Sequence, residues 1–172
     1  MSAVTLALVD EATRRSRLVW VSPQGASRAM PVWHLWHDGR AYVVTGGSEQ
    51  PLPAALEAGR AVVGVRGGKD SQEALLVRWV ALVSRVEPGS AEWERVVPLL
   101  HAQRLNAPDG EQQPARWLRE STVLVLTPTG ELVPLPDSSG AAPPVPTPAT
   151  TPARLPVRPA DRPQRLASPG SG

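Results

Sequence analysis

Apolar and polar positions change period along the chain, and each change marks an element. Leu6, Leu8 and Val9 precede Asp10, Glu11 and the Arg14-Arg15 pair, which predicts a short amphipathic helix over Ala3–Arg15. Its arginines fall in the last turn, where they oppose the negative end of the helix dipole. Leu18 to Val21 reads as a strand stopped by Ser22-Pro23-Gln24-Gly25. Two further strands are predicted over Arg28–Trp36 and Ala41–Thr45. Asp38-Gly39 between them is a strong hairpin signal, because such a turn needs positive φ and glycine adopts it cheaply.

Beyond this hairpin, Pro51 to Gly59 predicts one short helix, with proline tolerated in its first turn and glycine at its end. Ala61–Val65 predicts a buried strand, and Leu75–Val86 the longest one, its β-branched content arguing against helix. Ser90 is placed as an N-cap for a helix over Ala91–Arg104, where Trp93, Val96, Val97 and Leu100 recur at helical spacing. A short helix at Pro114–Trp117 and a strand at Thr122–Leu126 follow, with Thr129-Gly130 read as a turn into Leu132-Val133. Strands joined by hairpins and short links, without full crossover helices, predict an antiparallel sheet that closes on itself. The fold class is therefore mainly β with peripheral helices (α+β), a barrel of about six antiparallel strands.

Composition changes the picture at the C-terminus. From Pro134 onward, eleven of thirty-nine residues are proline and no aromatic residue occurs. Such a stretch buries too little apolar surface to offset the entropy of ordering it. Residues 1–133 are read as one domain and 134–172 as a disordered Pro/Arg-rich tail. The tail's four arginines and two aspartates account for the whole formal net charge of +2, leaving fourteen basic and fourteen acidic residues in the body. A neutral body argues against a dedicated nucleic-acid binder. The chain has no cysteine, which excludes disulfides, thiolate metal sites and cysteine nucleophiles. Its first fifteen residues carry charge after the apolar stretch, the wrong order for a secretory signal, and no apolar run approaches the ~18 residues of a membrane span. The expectation is a cytoplasmic protein acting without a membrane.

Thr45-Gly46-Gly47-Ser48 is the binding element most visible from residues alone, since a glycine loop leaving a sheet can turn several N–H groups towards an anion. Arg66, Lys69 and Arg78 are further cations for such a site. His34 and His37 are three apart, an odd spacing that sends strand side chains to opposite faces, so no shared metal site is expected. Trp33 and Trp36 would either stack on a flat ligand or fill the core. The stretch from Arg104 to Asp109, with Arg116 and Trp117, reads as a lid or a surface loop. No Ser-His-Asp or paired-carboxylate arrangement is legible.

The chain resembles the pyridoxamine 5'-phosphate oxidase-like, FMN-binding split-barrel superfamily, in an actinobacterial-type branch, over roughly Leu6 to Pro128. The resemblance rests on Arg28-x-Met-Pro-Val-Trp33, on Tyr42-Val-Val-Thr45 with its small-residue loop, and on the long strand around Val77-Arg78-Trp79-Val80. It implies a split barrel, a homodimer with the cofactor at the interface, and a flavin- or deazaflavin-dependent oxidoreductase acting on a small molecule. The alternative it leaves open is a non-catalytic barrel that binds a cofactor, haem or metabolite. It further implies that Arg28, Val32 and Trp33 approach the ring from one strand, Val44 and Thr45 from the next, and that Gly46, Gly47 and Gln50 lie at the phosphate. The family's basic pair after the threonine loop is replaced here by Gln50 and Pro51, and its glutamine before the long strand by Leu76. FMN is the expected cofactor, with deazaflavin or haem as alternatives used by related branches.

Overall fold

The computed structural model describes residues 3–56, 59–67, 74–104 and 109–135. The chain divides into two units, Met1–Pro136 and Asp137–Gly172, and every described residue belongs to the first. The Pro/Arg-rich tail, apart from its first two residues, lies outside the described residues, as do Lys69 and residues 105–108.

Helix α1 spans Ala3–Arg15, and the strands are β1 (Leu18–Pro23), β2 (Met30–Trp33), β3 (Leu35–His37), β4 (Arg40–Thr45), β5 (Gly59–Arg66), β6 (Leu75–Arg85) and β7 (Thr122–Leu132). Helices α2 (Ala91–Gln103) and α3 (Gln113–Glu120) lie between β6 and β7 in the chain. All pairings are antiparallel, in the order β2-β1-β5-β6-β7-β4-β3. The two edges of this sheet, β2 and β3, are consecutive halves of one segment interrupted only at His34. One half pairs with β1 and the other with β4, so the sheet curls back on itself as a split barrel.

That break corrects the expected unbroken strand over Arg28–Trp36 and turns about six strands into seven. A strand can serve two neighbours in different directions only by bending, and the bend falls where the buried His34 ring meets the Thr13 carbonyl of α1, Nε2 donating at 3.1 Å. Two other expectations also change. The helix over Pro51–Gly59 is a single 3-10 turn, Ala54–Leu56, and Gly59 opens β5 with φ +142°. Two prolines and so short a run leave too few backbone bonds to repay helix nucleation. Thr129-Gly130 does not turn the chain. It forms a bulge inside β7, where pairing skips from Ala81↔Pro128 to Trp79↔Leu132 and Gly130 takes φ +85°.

The hairpin is as expected: His37 faces Arg40, with Asp38 (φ +49°) and Gly39 (φ +69°) between them. β4 carries two cores on its alternating faces. Ala41 and Val43 point into the barrel with Val19, Val63, Trp79 and Leu124, whereas Tyr42 and Val44 point outward beneath Trp93, Val96, Leu100 and Trp117 of α2 and α3. Burial on both faces explains its continuous apolar run. Ser90 caps α2 by accepting from the Trp93 N–H at 3.1 Å. Glu92 in that first turn accepts from Tyr42 Oη at 2.8 Å and Arg40 Nη1 at 2.7 Å, pinning the helix to β4.

Candidate functional site

The residues named from sequence separate into three groups. Val32 (2% exposed) points into the barrel and Val44 into the outer core, so neither side chain is presented to a ligand. Arg28 and Gln50 are exposed at the surface. Trp33 and the Thr45-Gly46-Gly47 turn are brought together, by a residue that the sequence did not single out.

That residue is Glu49, whose carboxylate is buried at the meeting point of four elements. Trp33 Nε1 of β2 donates to Oε2 at 3.1 Å, and Trp117 Nε1 of α3 donates to Oε1 at 3.0 Å. Arg104, at the end of α2, adds an ion pair with Nη2 3.3 Å from Oε2. Gln113 is wholly buried beside them, and of its two amide orientations the one turned over towards Asp109 satisfies both ends. Its nitrogen reaches Glu49 Oε1 at 3.4 Å, or, turned over, Asp109 Oδ2 at 3.3 Å while its oxygen takes the Trp117 N–H. The Arg104 guanidinium lies over the Trp33 ring, 5.3 Å from its centroid, and Trp33 meets Trp117 at 6.1 Å in a tilted pair. Only one clue in the sequence pointed here: indole N–H groups that leave water need an acceptor.

The loop itself is tightly organised. Thr45 Oγ1 donates to the Gln50 carbonyl at 3.0 Å and accepts from the Leu52 N–H at 2.8 Å, so its hydroxyl is engaged within its own loop. Gly46 and Gly47 both have positive φ, +83° and +61°. A Cβ on Gly47 would stand 2.9 Å from Ser121 Oγ and 3.1 Å from the Glu120 carbonyl, so close packing against the α3–β7 junction also demands glycine there. Ser121 Oγ donates to the Gly46 carbonyl, and the Glu49 N–H closes the turn onto the same oxygen. Among the described residues nothing accepts from the backbone N–H of Gly47 or Ser48, both of which are exposed.

The other candidates resolve individually. Trp36 Nε1 donates to Asp10 Oδ1 at 2.7 Å and its ring meets Trp79 edge-on, so it serves the barrel core and α1. His34 is buried in the barrel, and burial outweighs the Thr13 hydrogen bond to push its imidazole down to about 4. His37 stands 3.3 Å from Asp38 at the hairpin. Among the described residues no group of three acids or histidines could hold a metal ion. Arg66 stacks on Trp20, 4.7 Å from its centroid, and Arg78 donates to the Pro134 carbonyl. Arg116 joins Asp109 and Glu120, and these two carboxylates push its already high pKa upward. A cleft of about 330 Å³ opens between α1, Trp36 and Pro128; of the residues considered for a flat ligand only Trp36 lines it, and none of the Arg28–Trp33 or Val44–Gln50 candidates does. No helix among the described residues is long and apolar enough to cross a membrane.

No protein-family model matches the chain, and no curated protein matches it. Among solved structures it is similar to a putative pyridoxamine 5'-phosphate oxidase from Listeria innocua, at TM-score 0.49 and 17% identity over 74% of this chain and 95% of that one. It is also similar to HutZ, the haem storage protein of Vibrio cholerae, at TM-score 0.48 and 14% identity, covering 73% of this chain and 90% of that one. The flavocytochrome Anf3 of Azotobacter vinelandii aligns at TM-score 0.44 and 14% identity, over 91% of this chain and 87% of that one. The split-barrel architecture itself rests on the strand pairing described above.

Proposed function

We propose that this protein, as a homodimer, binds a phosphorylated flavin-type cofactor, FMN or else a deazaflavin, and transfers electrons to or from a small molecule, with haem as the alternative outside that class. The observation that carries the reading is the Gly46–Ser48 loop, which Glu49 ties to Trp33 and in which the N–H groups of the exposed Gly47 and Ser48 meet no acceptor among the described residues. N–H groups without an acceptor among the described residues, on a fixed glycine turn, suit an anion, and we assign the exposed Arg28 to it as the cation. In this reading Gly47 and Ser48 hold the phosphate through their backbone and Trp33 flanks the ring. Val32 and Val44 shape the strands from within the cores. A bound flavin would supply the redox chemistry, while the chain binds, orients and limits water.

A second reading, a non-catalytic binding barrel, is favoured by two observations. The neutral, exposed Gln50 replaces the family's cation, and the Thr45 hydroxyl is occupied within its own loop. The visible spectrum of the purified protein separates flavin, deazaflavin and haem. Flavin titration then tests the corner: Arg28→Ala should weaken FMN roughly 10- to 150-fold and riboflavin little, because only FMN carries the anion. Gln50→Arg should tighten FMN. An Arg28→Ala affinity within about twofold of wild type would remove Arg28 from the site.

A further inference from the structure

Glu49 is the single acid in the 45–50 loop, yet its side chain is only 1% exposed. A carboxylate stripped of water is tolerated only where donors and opposite charge replace its hydration. Here they come from three other elements: Trp33 of β2, Trp117 of α3 and Arg104 after α2. The same residue's backbone N–H closes the Gly46-Gly47 turn at 3.0 Å. One residue therefore links the turn that exposes the two unpaired amides to the indole beside it.

We infer that Glu49 is the positioning residue of this corner, holding the Gly46–Ser48 amides and the Trp33 ring in one fixed relation through its buried carboxylate. The corner's occupant rests on the phosphorylated-cofactor reading above, whereas the clamp does not. Glu49→Gln keeps the side-chain volume but sets an NH₂ group against donors and removes the negative charge that pairs with Arg104. The loop should loosen while the barrel stays folded.

The test uses the full chain and two readouts. The first is amide hydrogen exchange without cofactor. In Glu49→Gln the Glu49 and Leu52 amides, bonded to the Gly46 carbonyl and Thr45 Oγ1, should lose at least about tenfold protection, while β5–β6 amides stay within about twofold of wild type. The second is the ratio of FMN to riboflavin affinity. It should fall about tenfold, a change that uniform destabilisation would not produce because it weakens both ligands alike. If Glu49→Gln does not fold, Trp33→Phe removes a single donor and should give the same local pattern at smaller amplitude. Unchanged loop protection overturns the clamp. A loosened loop with an unchanged ratio, in a protein that binds FMN, overturns its role at the phosphate. A wild type that binds no FMN, deazaflavin or haem sinks the cofactor reading, and the exchange data then decide the clamp alone.

Discussion

His34 ties one side chain to both the closure of the barrel and its response to pH. Its Nε2 must donate to the Thr13 carbonyl, so Nδ1 is the bare nitrogen, and that buried atom meets no partner among the described residues. Protonation would place an N–H where nothing accepts it, in addition to burying charge. The unfolded chain takes up this proton near pH 6.5 and the folded one only near 4. Stability due to His34 is therefore complete above 6.5 and is lost progressively as pH falls towards 4, by about 3 kcal/mol in total. Urea midpoints for wild type and His34→Leu across this window test it: the wild-type curve should fall more steeply, and parallel curves would reject a buried neutral imidazole. Gly47 is the second residue whose identity is narrowly determined. Gly47→Ala combines a positive φ with a sub-van der Waals contact to Ser121 and should cost at least ~1–2 kcal/mol in thermal or urea unfolding.

Among the elements, α2 is attached to β4 by a polar contact beneath an apolar one. Tyr42 is pushed up to about 12, first by burial and then by its hydrogen bond to Glu92, so the phenol stays a donor throughout the physiological range. Glu92→Ala leaves that hydroxyl without its acceptor and should cost ~1–3 kcal/mol, while Tyr42→Phe removes the group that needs one. The double variant should lose less than the sum of the two single ones, and a strictly additive cycle would show the contact to be idle. The hairpin, the Ser90 cap and the limits of α1 were all legible in sequence because each depends on residues within a few positions of one another. The helix after Pro51 is shortened by its own prolines and length, whereas the turn signal at Gly130 is overridden by tertiary pairing: β7 has a partner in β6 on both sides of Gly130, so the chain continues and absorbs the extra length as a bulge.

At the scale of the whole molecule, the homodimer and the tail remain expectations with direct measurements. Sedimentation equilibrium at micromolar concentration should give twice the chain mass. A monomer would count against the dimer and against any cofactor corner shared between subunits. Limited proteolysis should trim residues beyond about 140 and leave a resistant body, since a proline-rich stretch without aromatics lacks the apolar surface to fold. Early cleavage within 1–133 instead would break the domain boundary drawn at Pro134.

By itself the sequence determined the strand and helix periods, the antiparallel class, the hairpin register and the glycine loop, because these follow from backbone preferences and alternation over short spans. The resemblance added the expectation that Trp33, Thr45, Gly46, Gly47 and Gln50 share one site. Only the tertiary structure decided that Val32 and Val44 face two different cores, that Thr45 spends its hydroxyl inside its own loop, and that the strand splits at His34. Glu49 is the clearest case. In sequence it is one acid in a polar Ser-Glu-Gln-Pro run, which reads as solvent-exposed. Its burial depends on donors from β2, α2 and α3 that are distant along the chain, and an interaction whose partners meet only after folding leaves no local pattern to read.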